Sequence, residues 1–200
     1  MIQFRNSIEN ISEYQKGMLP KGARKLDTPS TEEMLKIAMP ICIVICIFLS
    51  GTVFYKIYTA PKVEVLPLFI GIALGLVGGA TLFVVHEWLH AIVYPKEATV
   101  TIARIKGKLL FVALASYPLK RSRFILMCLL PFILGIVPYI LFIVSEPINM
   151  LLDGVLIGLA GMGMVSPYPD VFNTMVVLKQ CKRTDEIMFY EDDMYCISRV

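Results

Sequence analysis

Charge is what this sequence most lacks. Only 18% of its 200 residues are Asp, Glu, Lys or Arg, and 56% are hydrophobic, where soluble domains carry about 25% and about 45–50%. That balance excludes disordered and fibrous chains and points to a membrane, with one compact domain over 1–200 as the expectation for this length. Cysteine is scarce and unpaired in pattern: Cys42, Cys46, Cys128, Cys181 and Cys196 have no metal-ligand spacing, and their odd number argues against a disulfide framework. A net charge of +3 is too small to call for nucleic acid. No internal repeat or low-complexity tract is present, and the polar, mixed-charge stretch 1–34 does not read as a cleavable signal peptide.

The missing charges leave gaps. None lies between Lys36 and Lys56, between Glu64 and His86, or between Arg123 and Glu146, and each gap is close to the roughly 20 residues a helix needs to cross the hydrocarbon core. A fourth apolar stretch is interrupted by Asp153 alone. The expected fold is therefore mainly α: a polytopic membrane protein with transmembrane helices at 37–55, 66–94, 124–144 and 148–165. Basic residues crowd the N-terminal segment 1–34, the connection between the second and third helices, and the tail 179–200, whereas the loop around Glu146 has none. By the positive-inside rule, both termini and the middle connection face the cytoplasm of a multi-pass cell-membrane protein. Within that connection, 98–115 holds two β-rich runs flanking Lys106-Gly107 and is expected to be a hairpin on the cytoplasmic membrane surface. The tail repeats this with IMFY and MYCIS around Glu191-Asp192-Asp193.

Both histidines of the chain, His86 and His90, stand four apart in VVHEWLHAIV. On a helix that spacing stacks them on one face, where both imidazoles can reach one tetrahedral metal ion. Glu87 is rotated about 100° from His86, so its carboxylate can stay off the metal and serve as the general base for a metal-activated water. Ionisable groups are expensive at the end of an apolar helix, which favours a functional role over paired interfacial histidines.

Two histidines leave a catalytic zinc one protein ligand short. Asp153 in LLDG and Asp170 in SPYPDVFN are the candidates. With the second and fourth helices both starting outside, His86 and Asp170 each lie about 30 Å down, while Asp153 is about 8 Å from the outer surface. Asp170 is therefore the expected ligand and Asp153 the alternative. Pro167 and Pro169 predict an extended break over 166–170 that aims side chains inward, with a helix N-cap as a second role for Asp170. Asn173 and Ser166 are placed to support the ligands. Glycines at 71, 75, 78 and 79, and at 154, 158, 161 and 163, let the second and fourth helices approach closely.

With HEWLH go the segments LPKGARKLDTPS, the hairpin stretch, and SPYPDVFNTMVVLKQCKRTDEIMFYEDD. Together they resemble the putative zincin peptidases, a domain-of-unknown-function family of small four-span bacterial membrane proteins, and more distantly the site-2 proteases. The resemblance implies zinc on His86, His90 and Asp170, with Glu87 as base. A site-2 protease would show Asn and Pro ahead of Leu-Asp-Gly; Asn149 and Leu152-Asp153-Gly154 match part of that pattern, at a different depth.

The sequence thus reads as a membrane-embedded zinc metallopeptidase acting on a membrane-anchored protein or peptide near the cytoplasmic face, with the bilayer as its partner and homo-oligomers left open. The surface hairpin would present an extended substrate by strand addition. The competing class is a non-catalytic, zinc-containing regulator, immunity factor or receptor, which would close the metal with a fourth protein ligand.

Overall fold

The computed structural model describes residues 1–107 and 111–198. It is mainly helical and divides into two compact units: Ser30–Leu82 with Pro131–Pro169, and Met1–Pro29 with Phe83–Leu130 and Asp170–Val200.

The first unit is helical. Its helix α1 (Thr31–Thr59) starts at a capping box: Ser30 Oγ accepts the Glu33 N–H at 3.3 Å, and Glu33 Oε2 accepts the Ser30 N–H at 2.8 Å. Its 29 residues reach about 43 Å, and it exposes Ile41, Val44, Ile47 and Phe48 rather than one polar face, the pattern of a helix in an apolar solvent. Helices α2 (Val65–Thr81) and α6 (Met150–Val165) pack through glycine. A Cβ on Gly158 would stand 2.5 Å from the Ile72 carbonyl, and the Gly75 and Gly154 positions are closer still to the Val155 and Leu68 carbonyls. The α5 helix (Ile133–Val144) meets α6 where Gly135 faces Gly163, while Gly78 and Gly161 face only leucine side chains.

Three helical stretches are long and apolar enough to cross a membrane: Thr31–Thr59, Arg121–Val144 and Met150–Gln180. A fourth is obtained if Val65–Thr81 and Phe83–Val93 count as one broken span. The expected single helix over 66–94 is therefore two, α2 and α3 (Phe83–Val93). The break has a local cause: Thr81 Oγ1 donates to the Gly78 carbonyl at 2.6 Å and the Leu82 N–H is shared among Gly78, Gly79 and Ala80 carbonyls, which disrupts the regular ladder in a glycine-rich turn.

The expected extended break over 166–170 is also corrected. Ser166 is helical at the end of α6, and after a turn at Pro167 the helix α7 (Tyr168–Gln180) already contains Pro169 and Asp170 in its first turn. Proline costs little there, because the first N–H groups of a helix have no intrahelical acceptor.

The second unit joins α3, α4 (Arg121–Leu129) and most of α7 to two sheets. One has the order β1-β3-β4, where β1 (Ile2–Ile8) runs parallel to β3 (Val100–Ile105), and β3 antiparallel to β4 (Phe111–Leu114). The pair β3 and β4 falls in the expected hairpin region 98–115, of which 108–110 lie outside the described residues. The other sheet orders β2 (Arg24–Lys25), β7 (Asp193–Ile197), β6 (Glu186–Tyr190) and β5 (Leu119–Lys120). Glu191 and Asp192, with φ of 47° and 69°, make the two-residue turn between β6 and β7 that matches strand twist. Leu119, Phe124, Cys128, Val177 and Ile187 form the buried core against which α4, α7 and this sheet close.

Candidate metal centre

Helix α3 runs unbroken through HEWLH, so His86 and His90 stack on one face. Their Nε2 atoms are 3.0 Å apart. From the first turn of α7, Asp170 Oδ2 comes to 3.3 Å from His86 Nε2 and 3.5 Å from His90 Nε2. The three side chains are only 10–14% exposed. Three atoms with lone pairs this close repel one another unless a proton or a cation lies among them. Ligands of a tetrahedral zinc with bonds of 2.0–2.1 Å stand about 3.3 Å from each other, so the triangle has the size of one face of such a site. Imidazole and carboxylate donors also suit zinc chemically.

His90 is pinned from behind. Its Nδ1 is 2.9 Å from the Met127 carbonyl of α4, and a carbonyl can only accept, so Nδ1 carries a proton and, in the neutral ring, Nε2 keeps its lone pair toward the triangle. Glu87 lies beside the triangle, with Oε1 3.9 Å from His86 Nε2. Its Oε2 accepts the Ala113 N–H of β4 at 2.7 Å, which fixes the carboxylate against the strand. His86, Glu87 and His90 alone also form a group compact enough to hold a metal, but the Ala113 bond turns Glu87 aside while Asp170 stands nearer to both imidazoles.

Asp153 is engaged elsewhere. In the helical unit its Oδ1 is 2.9 Å from Lys56 Nζ and accepts from Ser145 Oγ at 3.1 Å. Lys56 also donates to Ser145 Oγ at 2.6 Å and to the Phe142 carbonyl, and lies over the Phe142 ring. Asn173 is half-buried on α7 and Ser166 ends α6; neither hydrogen-bonds any of the four clustered side chains among the described residues. The groups that do support them, the Met127 carbonyl and the Ala113 N–H, are backbone, and no side-chain pattern marks them.

The arrangement offers three convergent donors and an adjacent, separately held carboxylate, which is the equipment for hydrolysis by a metal-activated water. No curated protein and no solved structure matches this chain. Residues 79–185 match the family described as "Putative zincin peptidase". That stretch is more than half of the 200 residues and contains His86, Glu87, His90 and Asp170, and the chain belongs to this family.

Proposed function

We propose that the protein is a membrane-embedded zinc metallopeptidase that hydrolyses peptide bonds of membrane-associated proteins or peptides. The observation that carries this reading is the triangle of His86 Nε2, His90 Nε2 and Asp170 Oδ2 at 3.0–3.5 Å, with Glu87 held beside it. His86, His90 and Asp170 would hold the zinc. Bound there, zinc would supply polarisation of the scissile carbonyl and a lowered pKa for a water.

Glu87 takes the proton from the water as its oxygen attacks the carbonyl carbon, then delivers it to the amide nitrogen as the C–N bond breaks, leaving a carboxylic acid and an amine. The Ala113 N–H keeps the carboxylate oriented for both transfers. Because that N–H faces Glu87, it points away from β3, and the edge of β4 that pairs with no strand among the described residues runs past the base toward α3. An extended substrate laid along this side of β4 passes the reacting groups.

The long apolar helices support placement in a bilayer, and the basic segments favour termini and site toward the cytoplasm. The test is a comparison of the membrane proteome of cells carrying the wild type and the Glu87→Gln chain. Fragments of membrane proteins cut near their cytoplasmic face are expected with wild type and absent with Glu87→Gln, while both chains hold zinc. Identical fragment patterns with zinc present in both would favour a non-catalytic zinc protein.

A further inference from the structure

The hydrogen bond that pins His90 depends on a carbonyl in the wrong place to be free. Met127 lies inside α4, where a carbonyl is normally taken by the N–H four residues on. The ladder is regular up to its last bond, in which the Leu130 N–H donates to the Leu126 carbonyl. The next bond in register would run from residue 131 to Met127. Residue 131 is proline, which has no N–H and whose ring crowds the carbonyl four residues back. A short 3₁₀ turn, Leu130–Phe132, follows in place of a further α turn. The Met127 oxygen is therefore released from its own helix, and it is the oxygen 2.9 Å from His90 Nδ1.

We propose that Pro131 is a positioning residue for the metal centre: by withholding an N–H from Met127 it leaves that carbonyl to His90 Nδ1–H and so fixes the His90 tautomer whose Nε2 faces His86 and Asp170. The inference rests on the metal-site reading for its consequence, but its structural content, a proline that sets a tautomer, stands without metal. Alternative duties for this carbonyl are few, since it is buried with His90, which is 8% exposed. With an N–H at 131, the helix would reclaim the carbonyl, His90 would lose its acceptor at Nδ1, and the ring would be free to carry its proton on Nε2, where it blocks a metal.

The experiment reads His90 by nitrogen-15 imidazole NMR in the zinc-free full chain, and zinc affinity by competition with a chelator. At a pH where the ring is neutral, wild type should show the Nδ1–H tautomer. Pro131→Ala should shift His90 toward Nε2–H and weaken zinc binding about 10–100-fold. Pro138→Ala, which changes the other proline within this stretch of helix, should alter neither. Lactic acid at position 131, which has the alanine side chain without an N–H, should restore the wild-type tautomer and affinity. An Nε2–H tautomer in wild type, or Pro131→Ala with unchanged tautomer, overturns the proposal. If Pro131→Ala does not fold, the lactic-acid chain decides: folding with the wild-type tautomer supports the missing N–H, and failure to fold assigns the role to the proline ring and overturns it. If wild type binds no zinc, the metal reading fails, while the tautomer comparison still judges Pro131.

Discussion

At the scale of single residues, the chain places two buried charged clusters on different duties. Asp170 joins the histidines, while Asp153 is paired with Lys56 at 2.9 Å, with side chains 3% and 10% exposed. Removing one partner of such a pair leaves an uncompensated buried charge, which costs about 3–5 kcal/mol, whereas replacing both with apolar groups is often neutral. Lys56→Met should therefore lower unfolding stability in detergent by about that amount, and Lys56→Met with Asp153→Leu should recover most of it, with zinc content unchanged in both. Asp185 is held below the ordinary carboxylate range chiefly by the Lys182 N–H at 2.7 Å. Its contribution is complete above the ordinary carboxylate pKa and is lost only as pH falls through the lowered value. Amide exchange at Lys182 should thus stay slow at mildly acidic pH and quicken only in stronger acid, and Asp185→Asn should remove that dependence.

At the scale of elements, close helix approach is the feature most exposed to substitution. A Cβ at Gly158 meets the Ile72 carbonyl at 2.5 Å, and backbone cannot yield as a side chain can. Gly158→Leu should destabilise the α2–α6 pair by about 1–3 kcal/mol, read as a lower midpoint in a detergent unfolding curve, whereas Gly161→Leu, which faces only Leu49, should cost less. The close approach at Gly158 was legible in the sequence, as were the tail hairpin and a helix through HEWLH, though not the break that parts α3 from α2. Two further features were not. The alternation of Ile2, Phe4 and Ile8 with polar residues marks β1, but its parallel partner β3 is nearly a hundred residues on, and such pairing cannot be read from local pattern. The prolines at 167 and 169 were misread as an extended break because proline excludes itself from helix interiors but not from a first turn.

At the scale of the whole molecule, membership of the family described as "Putative zincin peptidase" goes together with helices long and apolar enough to cross a bilayer. Depth within an assumed membrane singled out Asp170 from sequence alone, and the folded chain brings its carboxylate to 3.3 and 3.5 Å from the two imidazoles. The supporting Met127 carbonyl and Ala113 N–H were not foreseeable, since any residue can supply a backbone group and only tertiary placement decides which does. Sidedness predicts that reporters fused to either terminus lie in the cytoplasm and that one inserted near Glu146 lies outside; an external terminus would reverse the placement of the site. Every role given to His86, His90, Asp170 and Glu87 depends on a bound metal. The zinc content per chain, measured by elemental analysis on purified protein, should be about one for wild type, Glu87→Gln and Asp153→Asn, and should fall sharply in His86→Ala and Asp170→Asn. A wild type without zinc, or zinc lost with Asp153→Asn and kept with Asp170→Asn, would contradict a zinc site at these residues.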